Sequence, residues 1–441
     1  MKSMTSGLAA TVLAAVLTVS AGSHADAKAP AHKAAAPAAA TAAEVAELRA
    51  QIQALKDLLV TQQQANQQTA ADAQAARAAA QAAADRAIAV QAQADSAIKT
   101  IPGEVKTAVA AAKPKPGWES STTLSGRMYY DLTGIEQKKD GAKVPASGAS
   151  LDIKRFYVGV DHKFNDTYSA NVTTDVAYVA ADGLTQVYLK KAYLQAKYSD
   201  ALTVRLGSAD LPWVPFAEEV YGYRFVENTV ADKDKFATSA DWGAHAFGKV
   251  GMVNYAVALV NGAGYKNPTR SKDMDVEARL STSFDGVTLG AGVYSGKLGK
   301  AVQNVATFHT ANRVNLIAAY AQPKFRIGVE YFAAENWANV TTVASDKSAG
   351  ASVFGNYNFT PQISAFGRYD SVKPSKTINP REKEGYFNLG LNYEPAKTVD
   401  FALVYKRDAL DNGSLATSNG TIGGIRKGTY DELGLFGQLR W

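Results

Sequence analysis

Apolar and polar residues alternate with a period of two over most of the chain from Trp118 to Trp441. In residues 168–178 the even positions are Tyr, Ala, Val, Thr, Val and Tyr, whereas the odd positions are Ser, Asn, Thr, Asp and Ala. Successive side chains of a strand point to opposite faces, so one face of this strand suits lipid and the other suits water. The same alternation recurs in residues 387–394 and 399–406.

Sixteen segments with this pattern can be counted, and short turns alternate with longer polar loops between them. Tight turns are predicted at residues 165–166, 199–200, 250–251, 285–286, 323, 360–361 and 395–396. Long loops are predicted at residues 136–149, 210–237, 263–272, 337–346, 372–383 and 409–427. Short turns at one end and long loops at the other are typical of outer-membrane barrels, and an even strand number lets the sheet close without unpaired edges. The predicted fold class is an all-β transmembrane barrel of 16 antiparallel strands, over residues 118–441.

Aromatic residues fall where such a barrel needs them. Tyrosines of the lipid-facing parity near strand ends predict interfacial girdles; they are Tyr130, Tyr168, Tyr178, Tyr198, Tyr320, Tyr331, Tyr357, Tyr393 and Tyr405. Leu433, Leu435, Leu439 and Trp441 share one face, which resembles the C-terminal strand signature of outer-membrane barrels. The soluble alternative, an array of β-sandwiches, needs two or three domains with linkers. Residues 118–441 contain no such linker, and their outward faces are too apolar for water.

The first residues predict export. Lys2 precedes an apolar stretch at residues 8–19, and small residues surround a possible cleavage point at 23–25, as in a secretory signal peptide over residues 1–25. The apolar stretch is shorter than the roughly 20 residues of a membrane-spanning helix. Residues 26–41, rich in Ala and Pro, predict a flexible linker.

Residues 42–101 contain no Gly or Pro and show a heptad repeat of apolar or small residues. Val45, Leu48, Ile52, Leu55 and Leu59 form a strong first part of the seam, and alanines dominate the later part. About eight heptads predict a periplasmic coiled coil, in which a seam Asn can fix register and oligomer number. A single Ala-rich helix or a disordered spacer is the alternative. Residues 102–117, with their Pro and Lys, predict a second and stiffer linker.

Composition excludes several classes of function. The chain has no cysteine, which removes disulfides, thiolate metal sites and cysteine nucleophiles. The net charge is only +6 and no basic run is interleaved with aromatic residues, so we expect no nucleic-acid partner. His162, His245 and His309 lie on separate predicted strands without a Ser or Asp signature around them. We therefore expect neither an enzyme nor a bound cofactor or metal.

Three segments resemble a known family. Residues 206–227 contain a strand-end Gly207 followed by a loop with Pro215-Phe216; residues 153–160 contain Arg155; and residues 191–198 contain Ala192-Tyr193. These features resemble the phosphate-selective porin O and P family of Gram-negative outer membranes. The resemblance implies a trimer of 16-stranded barrels, each with its own pore, in which the third long loop, here residues 210–237, folds inward and narrows the pore.

The charged residues expected to line the pore are of both signs. Candidates on the inward parity or on the loop are Arg127, Arg155, Lys191, Arg205, Glu218, Glu219, Arg224, Glu227, Arg279, Arg313, Arg326 and Arg368. Acidic residues of the same parity include Asp131, Asp161, Asp175, Asp275, Glu277, Glu330, Asp370 and Asp400. Phosphate-selective members have dense basic ladders, so the resemblance does not establish phosphate selectivity here. Each wall charge can alternatively form an ion pair with a strand neighbour.

The sequence thus predicts a porin in the Gram-negative outer membrane that lets small hydrophilic solutes or ions, including phosphate or other anions, diffuse passively. Charges in a narrow lumen favour counter-ions, and we expect a mild anion preference. The expected partners are outer-membrane lipid and two further copies of the chain, with peptidoglycan contact through the coiled coil. A structural tether or adhesin with little transport is the alternative.

Overall fold

A computed structural model describes residues 42–99, 117–179 and 184–441. The predicted signal peptide (1–25), the 26–41 linker and all but the last residue of the 102–117 linker lie outside these residues. The chain divides into an N-terminal unit and a barrel unit, which are described separately.

A single long helix, α1 (Ala42–Lys99), forms the described part of the N-terminal unit. Glutamine–aspartate pairs one helical turn apart support its polar surface, for example Gln53 Nε2 to Asp57 Oδ1 at 3.0 Å. Ile52, Leu55 and Leu59 of the heptad seam are exposed. The structure contains one chain, so the coiled coil itself stays a prediction. Within the three described ranges, no helix is both long enough and apolar enough to cross a bilayer.

Sixteen antiparallel strands form a closed barrel, which confirms the predicted fold class. The strands are β1 (Thr122–Lys139), β2 (Gly148–Lys163), β3 (Tyr168–Val179), β4 (Leu184–Ser199), β5 (Leu202–Asp210), β6 (Ala240–Val250), β7 (Val253–Val260), β8 (Asp275–Phe284), β9 (Val287–Gly296), β10 (Ala311–Gln322), β11 (Phe325–Glu335), β12 (Lys347–Asn358), β13 (Ile363–Lys373), β14 (Lys383–Ala396), β15 (Val399–Thr417) and β16 (Gly420–Arg440). Each strand pairs with the next, and β1 pairs with β16 from Arg127 to Lys139, so the sheet closes on itself. A short 3₁₀ turn (Trp118–Ser121) precedes β1, and a two-residue strand (Ala142–Lys143) follows it.

The prediction of a long loop at residues 409–427 is wrong. Strands β15 and β16 continue through this region and pair as far as Thr417 and Gly420, so only a tight turn joins them. The segment is rich in Gly, Ser, Asn and Thr, which are typical of loops. Two of its apolar side chains are nevertheless buried, because Ile422 joins Leu410 and Tyr430 in a small cluster.

The outer and inner faces of the barrel differ as the alternation predicts. Outward apolar residues are exposed on the outer face of the barrel, which lipid contacts. The predicted girdle residues exposed on this face are Tyr168, Tyr198, Tyr320, Tyr331, Tyr357 and Tyr393. Inward positions are largely polar or charged and buried. This inversion of the soluble pattern is expected when lipid surrounds the sheet.

The main buried core lies inside the barrel, between the wall and the segment 211–239 that joins β5 to β6, hereafter the inserted loop. Two short helices, α2 (Val214–Tyr221) and α3 (Val230–Lys233), lie within it. A proline in its first turn suits the start of α2, and Gly222 ends it in the left-handed conformation at φ 83°. Apolar loop residues pack against inward residues of the distant strands β10–β13: Trp213, Val214, Ala217, Tyr221 and Phe236 on Ile317, Phe332, Phe354 and Val372.

Candidate functional site

Trp213 fixes the start of the inserted loop to the far wall. Its backbone N donates to Glu277 Oε1 at 2.8 Å, and its indole Nε1 donates to Glu330 Oε1 at 3.0 Å. The ring is fully buried and meets Phe216 edge to face, with the ring centroids 5.9 Å apart. Both carboxylates project from the wall, so β8 and β11 hold helix α2 in place.

The middle of the loop crosses the lumen along β11–β14. Arg326 Nη1 donates to the carbonyl of Val220 at 3.0 Å, which satisfies one of the free carbonyls at the end of α2. Tyr223 stacks on Phe366, with ring centroids 4.0 Å apart. These contacts come from strands distant in sequence, so only the closed barrel brings them together.

Glu227, in the middle of the inserted loop, has a fully buried side chain. Lys406 Nζ lies 3.6 Å from its carboxylate, and Ser418 Oγ and Asn419 Nδ2 each donate to it at 2.8 Å. Burial raises the pKa of Glu227, but Lys406 and Lys154 outweigh this effect and hold the pKa well below its ordinary value. Ser418 and Asn419 form the turn of the β15–β16 hairpin, which the sequence pattern did not predict. This turn therefore holds the inserted loop in place.

Lys233, at the end of α3, is the second buried anchor. Its ammonium contacts Asp234 Oδ1 at 2.5 Å, Asp408 Oδ2 at 3.3 Å and the carboxylate of Glu384. Burial opposes the charge on Lys233, yet the surrounding carboxylates hold its pKa above the ordinary lysine value. Burial raises the pKa of Asp234, and Lys233 counteracts this only in part. Such a cluster is costly to break, because removing one partner leaves buried charge uncompensated.

Three of the predicted constriction residues are buried where the inserted loop meets the wall. Glu227 pairs as described above, Arg313 Nη2 contacts Glu277 Oε2 at 2.8 Å, and Arg368 Nη2 contacts Asp370 Oδ2 at 2.5 Å. Both arginines also donate to loop carbonyls, Arg313 to Phe236 at 2.7 Å and Arg368 to Asn228. The predicted inward parity is correct for these arginines, but the inserted loop covers them. Their charge stabilises the loop.

Arg155 also forms a wall pair, because its Nη1 lies 2.8 Å from Asp175 Oδ2 and 3.0 Å from the Tyr188 hydroxyl. The other eight candidates line two cavities that the loop leaves open: Arg127, Lys191, Arg205, Glu218, Glu219, Arg224, Arg279 and Arg326. Their volumes are about 990 and 770 Å³, and Asp210, Pro215 and Glu219 border both.

The larger cavity, toward the short turns of β4–β11, has basic residues held by aromatic rings. The Arg205 guanidinium lies between Tyr193 and Phe247, 4.5 and 4.6 Å from the ring centroids, and the Arg279 guanidinium lies 4.2 Å from Phe216. Cation–π contacts fix such side chains without neutralising their charge. Lining residues of basic type outnumber acidic ones: Lys197, Arg205, Lys249, Arg279 and Arg326 against Asp200, Asp210 and Glu219.

The smaller cavity lies between the loop and strands β1–β5, and it contains residues that the sequence analysis missed. Tyr129, Tyr157 and Lys190 line it together with the predicted Arg127 and Arg224. Lys190 was missed because strict alternation allows only one of two consecutive residues to face inward. A register shift opposite Thr173 and Thr174 places both Lys190 and Lys191 on the inner side. Two adjacent lysines inside an otherwise alternating strand were a signal for this bulge.

The comparisons agree on the fold. No known family's sequence profile matches the chain, and no curated protein matches it either. An anion-selective porin from Comamonas acidovorans is similar in structure, with 13% identity, a TM-score of 0.53, and coverage of 73% of this chain and 99% of that chain. The barrel has the porin fold.

Two further outer-membrane proteins are similar at the same level. The channel DcaP of Acinetobacter baumannii shares 12% identity at a TM-score of 0.51, covering 73% of this chain and 97% of that chain. Salmonella typhi OmpF gives the same identity, TM-score and coverage of both chains. These outer-membrane proteins share the barrel fold with this chain, and at such identities the likeness concerns the fold alone.

Proposed function

We propose that the protein is a porin of the Gram-negative outer membrane that lets small hydrophilic solutes diffuse passively, with a mild preference for anions. One observation carries this proposal: the inserted loop covers much of the wall at β8–β15 but leaves two charged cavities, one beside β1–β5 and one beside β4–β11. A packed loop that narrows a closed barrel without filling it is the arrangement of a selective diffusion channel. Porin-type neighbours, including one described as anion-selective, support the proposal.

The charge balance supports the direction of the preference. Arg205 and Arg279 of the larger cavity are held by aromatic rings, whereas Asp210 is neutralised by Lys191 at 2.6 Å and Glu218 by Arg224. Lys190 has no carboxylate within ion-pair distance among the described residues. The field in the lumen is therefore positive but weak, because carboxylates interrupt it. Phosphate selectivity of the kind shown by the porin O and P family would need a denser basic ladder.

The selectivity can be tested by recording purified full-length protein in planar bilayers under a potassium chloride gradient. We expect stepwise conductance and a reversal potential on the anion side, and Lys190→Gln should move that potential toward zero because it removes an uncompensated lumen charge. Lys324→Gln, in the turn between β10 and β11 and outside both cavities, should leave it unchanged. Clear cation preference, or no conductance steps, would contradict the proposal.

We further propose that α1 forms a periplasmic coiled coil that stabilises a trimer of barrels, and that it can reach peptidoglycan. The exposed seam residues Ile52, Leu55 and Leu59 support association, since exposed apolar side chains at heptad spacing are stabilised by a partner helix. One of the similar structures is described as a trimer form of Vibrio cholerae OmpT. Both ends of the barrel segment lie at the short-turn side, which is the periplasmic side in outer-membrane barrels.

A charge placed on the seam tests this association. Leu55→Asp should lower the temperature at which the trimer dissociates in semi-native gels, because the aspartate would be buried between helices. Ala54→Asp adds the same charge one residue away from the seam, on an exposed position, and should have little effect. Equal dissociation temperatures for the two variants would show that the seam is not buried between copies.

A further inference from the structure

Two phenol groups in the smaller cavity are each held by a cation. Arg127 Nη1 donates to the Tyr129 hydroxyl at 3.3 Å, and Lys190 Nζ donates to the Tyr157 hydroxyl at 3.1 Å. The two rings meet edge to face at 6.0 Å. A hydroxyl that accepts a hydrogen bond from a cation keeps its own proton for donation. The pair of tyrosines therefore presents two O–H donors, strengthened by positive charge, to whatever occupies the cavity.

A third donor comes from the inserted loop. Arg224 is about nine-tenths buried, with 9% of its surface exposed, and its Nε donates to Glu218. Its Nη1 has no hydrogen-bond partner among the described residues. The guanidinium carbon lies 5.9 Å from the Tyr129 ring centroid, so this free donor belongs to the same cluster. A buried donor without an acceptor is costly, and a bound anion would satisfy it.

The same cavity also contains acceptors, which narrow the choice of anion. Asp161 accepts from Asn171 Nδ2 at 2.9 Å, and Asn171 Oδ1 accepts from Thr173 at 2.9 Å. Asp210 forms its ion pair with Lys191. Carboxylates beside the donors repel a ligand with several negative charges. Because Asp210 is already neutralised, its remaining lone pairs suit hydroxyl groups better than a second ammonium.

We propose that this cavity is a weak binding site for polyhydroxylated monocarboxylates, that is, sugar acids. The carboxylate contacts Arg224, Lys190 and the phenol protons, and the hydroxyls donate to Asp161 and Asp210 and exchange hydrogen bonds with Thr173. The volume of about 770 Å³ is within the range of small-molecule sites. Affinity must stay low, because a solute that binds tightly cannot leave the channel. This inference deepens the proposed function and rests on it.

The experiment is single-channel recording of the full-length protein in potassium chloride, with gluconate added as the probe. We expect saturable block of the current by gluconate, and at least tenfold weaker block by glucose, succinate, inorganic phosphate or serine. Tyr157→Phe, which removes one hydroxyl and keeps the ring, should weaken gluconate block at least fivefold. Lys190→Met should also weaken gluconate block at least fivefold, because it removes a cation that would contact the carboxylate.

Matched variants separate a specific site from general effects on the barrel. Tyr369→Phe alters an exposed, lipid-facing tyrosine and Lys324→Met a turn lysine, and neither should change gluconate block. Gluconate block that matches that of succinate, phosphate or serine would overturn the assignment of the ligand class, as would block unaffected by both cavity variants. Conductance without gluconate block refutes this inference alone, whereas absence of conductance refutes the proposed porin function.

Discussion

Lys233→Met should release the second half of the inserted loop, which contains α3, and raise the single-channel conductance. The substitution leaves Asp234, Glu384 and Asp408 buried without their shared cation. Breaking such a buried cluster from one side costs about 3–5 kcal/mol. We expect a wider distribution of open-channel currents and a higher mean conductance, measured in planar bilayers.

Lys235→Met is the matched control for this change. Lys235 is exposed two residues further along, and its side chain forms no ion pair within the described residues, although its carbonyl accepts from Trp337 Nε1 at 2.9 Å. Conductance should therefore stay at the wild-type level in this variant. If Lys233→Met and Lys235→Met gave the same narrow current distribution, the buried cluster would not be what holds the loop.

Trp213→Ala should detach the first half of the loop. The substitution creates a cavity where a fully buried ring packs on Phe216, and it removes the indole donor from Glu330. Large-to-small changes of buried aromatic residues cost about 3–5 kcal/mol. We expect helix α2 to become accessible, so that protease cleavage within residues 214–222 becomes faster in detergent-solubilised protein, and the conductance should rise.

The control for this second change is Trp118→Ala. Trp118 is exposed, in the 3₁₀ turn before β1, so its loss should alter neither cleavage nor conductance. Resistance of Trp213→Ala to cleavage, together with wild-type conductance, would mean that the ion pairs at Glu227 and Lys233 suffice to hold the whole loop. Cleavage rate and conductance of the double variant, Trp213→Ala with Lys233→Met, would then show whether the two contacts stabilise the loop independently.

Strict alternation of residue types was enough to predict the barrel, because the strand period follows from backbone geometry and lipid selects which face is apolar. It gave all sixteen strands in their order. The alternation gave wrong predictions where hydrogen bonding between strands does not follow the residue composition. The polar β15–β16 hairpin reads as a loop, and the bulge that turns Lys190 inward breaks the period locally.

The sequence by itself therefore determined the number of strands, the closed sheet and the inward parity of residues such as Arg313 and Arg368. Only the tertiary structure decided which inward charges border open space. Arg313 and Arg368 lie under the inserted loop, whereas Arg127, Lys190 and Arg224 border open space. The reason is physical: parity is a property of one strand, but whether a charge inside the barrel is covered depends on a loop that crosses the lumen to strands far away in sequence.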